Sequence, residues 1–193
     1  MAAVVFFGSP DFALPSLRVL LPSEYKPVLV VTQPDRPAGR GKKLKPTPVR
    51  RMAEENGIAV RVVENFGEGD IIDYLRSFKP DFFVVVAFGL IFPSRALKVA
   101  VKGNINVHAS LLPAYRGAGP VSRAIINGDA FTGVSTMEIV KSLDAGPIYL
   151  QRVLPIDPME NSGELSDRLS IEGASLLVET LRAIDSTGLK PVD

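Results

Sequence analysis

Short apolar runs that stop at a turn residue, alternating with stretches of helical spacing, constrain this chain's fold more than any other feature. Val4-Val5-Phe6-Phe7 is continuously apolar and ends at Gly8, the pattern of a strand buried on both faces. Residues 28–32, 58–63 and 82–87 repeat that character, and residues 105–108 give a fifth strand. Residues 11–21 and 70–78 have helical spacing; in the first, Pro15 must fall in the opening turn or the helix breaks there. Thr47-Pro48 suits an N-cap followed by proline at the first helical position, and Gly57 is placed to end that helix. Strands alternating with helices imply βαβ units. The expectation is an α/β, Rossmann-like fold: an open, mainly parallel sheet with helices on both faces.

After Pro113 the pattern changes. Residues 118–127 read as a helix closed by Gly128, and residues 132–139 and 148–155 as strands flanking a loop that holds Asp144. Asn161, with Glu164 three residues later, forms a capping box for a helix running to about residue 185. The tail Gly188-Leu-Lys-Pro-Val-Asp193 has the composition of a linker. There is no internal repeat or low-complexity tract.

Composition narrows the setting. A chain of 193 residues suits one large domain with a real core. With no cysteine there is no disulfide framework and no thiolate zinc site, which fits a reducing compartment. No apolar run approaches the roughly 20 residues that span a membrane, and no basic region precedes the N-terminal apolar stretch as in a signal peptide. A soluble cytoplasmic protein is expected.

The net charge of +1 conceals a local excess. Arg36, Arg40, Lys42, Lys43, Lys45, Arg50 and Arg51 lie in one window whose lone acid is Asp35. Most of them belong to a loop, residues 32–48, that opens from the second strand. Loops this long without secondary structure are functional or disordered. This one mixes glycine, proline and positive charge without an aromatic residue, so contact with phosphate fits better than base readout.

Chemistry near neutral pH has few places to reside in this chain. Its single histidine is His108, the residue type that titrates closest to physiological pH. Asn106 stands two positions earlier, so on a strand the two side chains share a face, just before the turn Ser110-Leu-Leu-Pro113. That is the carboxyl end of a strand, where open parallel sheets bind ligands. A lone histidine is more often structural, but a polar pair on a short strand is costly unless it is satisfied or meets a ligand. Asp144, in Ser142-Leu-Asp-Ala-Gly-Pro147, is by itself an ordinary turn residue. Gly8-Ser-Pro-Asp-Phe12 lacks the G-x-G-x-x-G pattern, which disfavours a nicotinamide or flavin cofactor and leaves a structural turn.

Three segments together, Asn106-Val-His-Ala-Ser-Leu-Leu-Pro113, Tyr115-Arg-Gly-Ala118 and Leu143-Asp-Ala-Gly146, resemble the signatures of the folate-dependent formyltransferases. The resemblance covers almost the whole chain. Gly8-Ser-Pro-Asp-Phe12 and the basic loop narrow it to the branch that formylates the methionine of initiator tRNA. It implies a formyl donor, 10-formyltetrahydrofolate, an acceptor, methionyl initiator tRNA, and catalytic residues Asn106, His108 and Asp144. It also implies a folate pocket along Phe88, Gly89, Leu90 and Ile91, with Ser110, Leu111, Leu112 and Pro113 and, from the later loop, Val140 and Leu143. Arg36, Arg40, Lys42, Lys43 and Lys45 would contact tRNA, Arg40 and Lys42 foremost, with Phe12 against the methionine side chain. No metal and no membrane are implied, and a monomer is expected. Residues 1–187 would form the catalytic domain and residues 188–193 the start of a linker, the family's C-terminal tRNA-binding domain being absent from this chain.

Other assignments remain open on these residues. The acceptor could be a nucleotide sugar or glycinamide ribonucleotide, which needs no basic loop, or the same site could hydrolyse the folate. A non-catalytic nucleic-acid-binding module would not need Asn106, His108 and Asp144 together.

Overall fold

The computed structural model of the chain describes residues 2–38, 43–67 and 70–193. The fold divides into two compact units, Met1–Asn104 and Ile105–Asp193. In chain order the first contains β1 (Val4–Gly8), α1 (Leu14–Leu20), β2 (Pro27–Thr32), β3 (Arg36–Ala38), β4 (Lys43–Lys45), α2 (Pro48–Glu55), β5 (Val60–Val62), α3 (Ile71–Ser77), β6 (Phe82–Val86) and α4 (Ser94–Leu97). Its sheet runs β5-β2-β1-β6 with every pairing parallel. Every residue of β1 and β6 is buried, which is why these strands are continuous Val and Phe runs rather than alternating ones. Phe7 meets Phe83, Phe92 and Phe88 edge-on at 4.9, 5.0 and 5.4 Å, the offset geometry that aromatic quadrupoles favour.

The local signals explain most boundaries. A 3-10 turn over Asp11–Ala13 leads into α1, whose first turn holds Pro15. Thr47 Oγ1 accepts the Arg50 backbone N–H at 3.1 Å, capping α2, and Gly57 follows in the left-handed region at φ +67°. The one-turn α4 is too short to leave a periodic trace. The basic segment departs from expectation: its ends are not irregular but pair as an antiparallel ladder, Arg36 opposite Lys45 and Pro37 opposite Leu44. Pairing satisfies backbone groups that a loop would leave to water.

The second unit takes in β7 (Gly103–His108) from Ile105 onward, α5 (Pro120–Asn127), β8 (Phe131–Glu138), β9 (Ile148–Pro155) and α6 (Ser162–Thr187). Here the sheet turns antiparallel, in the order β7-β8-β9. The chain is thus Rossmann-like α/β with a mainly parallel sheet, its antiparallel part confined to this unit. The capping box forms: Asn161 Oδ1 accepts from Gly163 and Glu164 N–H, while Glu164 Oε2 accepts from Asn161 N–H. Leu165, Leu169, Leu176, Leu177 and Leu181 bury one stripe of α6. A Cβ on Gly173 would lie 2.8 Å from Val107 Cγ1, so glycine there lets α6 close onto β7. The tail expected as a linker is tied down at Val192, which exchanges two backbone hydrogen bonds with Ile148. Among the described residues no helix is long and apolar enough to cross a membrane.

Candidate active site

Asn106 and His108 emerge from the same face of β7, about 7 Å apart along the strand. Across the ladder His108 pairs with Ser135 of β8, and Ser135 with Gln151 of β9, so three polar residues line up beneath one edge of the unit. His108 is 7% exposed. Its Nε2 lies 3.0 Å from the Tyr115 carbonyl oxygen. A carbonyl only accepts, so this contact is a hydrogen bond when Nε2 carries the proton. Asn106 is half-buried, and among the described residues its amide has no hydrogen-bond partner. Its amide is thus open to a ligand from outside the chain.

Asp144 is brought to His108. Its Oδ2 lies 3.6 Å from His108 Nδ1, too long for a direct hydrogen bond, and accepts the Gly117 backbone N–H at 2.9 Å. Asp144 has φ +45° and Tyr115 φ +56°, both left-handed. Such conformations cost about 1–2 kcal/mol for a residue with a Cβ, and strain of this kind concentrates at functional sites. The loop carrying Asp144 closes tightly: a Cβ on Gly146 would fall 1.9 Å from the Glu138 carbonyl oxygen. Tyr115 is held by its own side chain, the phenol donating to Asp129 Oδ2 at 2.5 Å and accepting from Asn127 Nδ2 at 2.9 Å. The hydrogen bond to Asp129 is the main cause that pushes the phenol pKa up.

The turn after β7 is pinned by a buried network. Ser135 Oγ donates to the Ser110 carbonyl at 2.7 Å and accepts from the Leu112 N–H at 3.1 Å. Gln151 Nε2 donates both to Ser135 Oγ at 2.8 Å and to the Leu112 carbonyl at 2.9 Å. Ser110 Oγ donates to the Ala114 carbonyl at 2.6 Å. Sequence reasoning missed Ser135 and Gln151, and it quoted Tyr115 and Gly117 within a signature segment without giving either a role. The first two are legible only through strand register, and the last two act through backbone atoms.

The residues expected to line a folate pocket divide by exposure. In the second unit Ser110 and Leu112 are buried scaffold and Leu111 is half-buried, while Pro113, Val140 and Leu143 are exposed. In the first unit Phe88 is a core ring against Phe7, and its carbonyl accepts Gln33 Nε2 at 2.7 Å. Gly89 and Ile91 are exposed and Leu90 half-buried, just beyond β6. Of the basic residues, Arg36 and Lys45 are exposed on the β3–β4 ladder, and Arg36 donates to Gln33 Oε1 at 2.5 Å. Arg40 and Lys42 lie outside the described residues, and only the backbone of Lys43 is described. Phe12 is half-buried in the 3-10 turn before α1. Among the described residues no cluster of three His, Cys, Asp or Glu could hold a metal ion.

A family model described as formyl transferase matches residues 2–181. The methionyl-tRNA formyltransferase of Nitratidesulfovibrio vulgaris (strain DP4) is 48% identical over 190 residues, covering 98% of this chain and 58% of its own length. That of Moorella thermoacetica (strain ATCC 39073 / JCM 9320) is 49% identical over 181 residues, covering 94% of this chain and 58% of its own. The chain thus spans less than two thirds of these curated relatives. Among solved structures, a phosphoribosylglycinamide formyltransferase from Anaplasma phagocytophilum superposes with a TM-score of 0.80 at 21% identity, covering 99% of this chain and 90% of that one. At that identity the likeness concerns the fold alone.

Proposed function

The chain belongs to the formyl transferase family, and we propose that it is the catalytic part of an enzyme that moves a formyl group from 10-formyltetrahydrofolate to the amino group of methionyl initiator tRNA. The observation that carries this reading is the cluster of Asn106, His108 and Asp144, with an unpartnered amide beside a histidine that faces a carboxylate 3.6 Å away.

The chemistry follows from those atoms. Attack of an amine on a formyl carbon builds negative charge on the formyl oxygen and requires the amine to lose a proton. The Asn106 amide is a fixed N–H donor for the oxygen. With Nε2–H committed to Tyr115, the neutral ring turns its Nδ1 lone pair toward Asp144 Oδ2. Two acceptors facing each other at this distance make a place that takes up one proton, the one the amine gives up. Once Nδ1 is protonated, Asp144 is its counter-ion, and as the bond between the formyl carbon and the donor nitrogen breaks, the ring gives that proton to the departing tetrahydrofolate nitrogen, which resets the site. No covalent nucleophile is needed.

The donor supplies the one-carbon unit, and the surroundings suit it. Exposed Val140 and Leu143 flank Asp144, and half-buried Leu111 follows the strand. Apolar surface beside a few fixed polar groups is what a flat pterin requires. In the first unit, taken by itself, Gly89, Leu90 and Ile91 lie just past the carboxyl end of β6, the end at which open parallel sheets bind ligands. For the acceptor, the first unit offers Arg36 directly opposite Lys45. Like charges across a ladder repel, and a phosphate between them relieves the repulsion. Arg40, Lys42 and Lys43 extend that basic segment in sequence. A tRNA acceptor, and a chain without cysteine, fit a cytoplasmic setting.

The test is an assay with 10-formyltetrahydrofolate and three acceptors: methionyl initiator tRNA, glycinamide ribonucleotide and an amino-sugar nucleotide. Transfer to methionyl-tRNA with the other two inert is the expected result. Transfer to a small acceptor in preference to tRNA would overturn the assignment.

A further inference from the structure

The catalytic histidine can hold its proton on either ring nitrogen, and the two choices are not equivalent. Asp144, 3.6 Å from Nδ1, attracts a proton to that nitrogen, whereas the Tyr115 carbonyl, 3.0 Å from Nε2, attracts it to the other. Only the second arrangement leaves Nδ1 free to take a proton from an attacking amine. We propose that Tyr115 is a positioning residue, whose phenol holds its own backbone carbonyl where it selects the Nε2–H form of His108.

The strain at Tyr115 makes the phenol necessary. At φ +56° an aromatic residue sits in the left-handed region, from which it relaxes unless its surroundings prevent it. Relaxation would swing the carbonyl away from His108. Two side-chain hydrogen bonds oppose it, to Asp129 and from Asn127, both at the carboxyl end of α5. The peptide just before is fixed independently by Ser110 Oγ on the Ala114 carbonyl. Two residues further on, Gly117 donates to Asp144. The segment 114–117 thus sets the histidine's proton with one backbone group and the carboxylate's place with another. Asp129 reaches the site through the Tyr115 phenol.

His108 is the only histidine in the sequence, so nitrogen NMR of the chain labelled with 15N-histidine reads its two ring nitrogens without ambiguity. In the neutral ring of the unsubstituted protein Nε2 should give the protonated signature and Nδ1 the unprotonated one. Tyr115→Phe, and separately Asp129→Ala, should move both signals toward the reversed or averaged form. Asp129→Asn, which keeps an acceptor oxygen for the phenol, should restore them. Melting followed by circular dichroism establishes that each variant is folded. Ring signals unchanged in both Tyr115→Phe and Asp129→Ala would overturn the proposal. The kinetic consequence rests on the formyl-transfer reading: kcat for transfer should fall about tenfold or more while the donor KM stays within about twofold. Altered ring signals in a protein with no transferase activity would leave the positioning role standing and remove the functional assignment.

Discussion

The backbone N–H of Gly117 donates to Asp144 Oδ2 at 2.9 Å, so the turn that follows the histidine strand also holds the carboxylate that faces the histidine. The two segments are far apart in sequence, and this hydrogen bond fixes their distance without a side chain from the first. It also leaves Asp144 Oδ2 shared between a donor and the Nδ1 of His108.

Closure of the Asp144 loop depends on the absence of a Cβ at Gly146, where one would fall 1.9 Å from the Glu138 carbonyl. Gly146→Ala should displace Asp144, lower kcat about 100-fold through lost alignment, and cost about 1–3 kcal/mol of stability by overpacking. Steady-state kinetics and a thermal melt check both effects. Unaltered kcat would mean that the position of Asp144 does not matter.

Ser135 Oγ serves the Ser110 carbonyl, the Leu112 N–H and the Gln151 amide at once, inside the core. Ser135→Ala leaves buried groups without partners and should destabilise the protein by about 1–3 kcal/mol. At roughly 2–4 °C of Tm per kcal/mol for a chain of this size, the shift is readily measured. An unchanged Tm would show that the turn does not need this network.

Asn106 is expected to act on the reacting oxygen alone. Asn106→Ala should lower kcat about 100- to 1,000-fold, the range for removing one oxyanion donor, with little change in the KM of either substrate. A rise in KM at constant kcat would place Asn106 in ground-state binding instead.

Arg36 and Lys45, opposed on their ladder and exposed, should each contribute a phosphate contact. Arg36→Ala with Lys45→Ala should weaken tRNA binding uniformly and flatten the dependence of log K on log salt by about 0.7 per lost contact on single strands. Filter binding at several salt concentrations measures that slope, and an unchanged slope would move the contact surface elsewhere.

Much of this was legible in the sequence because buried parallel strands leave unmistakable traces. Val4-Val5-Phe6-Phe7 and residues 82–87 announce β1 and β6, and Thr47-Pro48 and Asn161 with Glu164 announce two helix starts. Asn106 and His108 were legible as a pair through the two-residue period of a strand. Asp144 was legible as a partner only through family resemblance, since nothing in its own turn shows that β7 lies beside it. Ser135 and Gln151 required the antiparallel register of β7, β8 and β9, which no local pattern encodes. Tyr115 and Gly117 contribute main-chain atoms, which sequence does not distinguish. The paired ends of the basic segment escaped notice because charge and glycine suggest a loop, whereas the ladder is held by backbone groups that are indifferent to side-chain type.

The central claim is that the Asn106, His108 and Asp144 cluster transfers a formyl group, and single-turnover transfer from 10-formyltetrahydrofolate to methionyl-tRNA tests it most directly. His108→Ala, shown by its melt to be folded, should react about 1,000-fold more slowly than the unsubstituted protein. A rate within about tenfold of the unsubstituted protein, less than general acid–base catalysis supplies, would contradict the account.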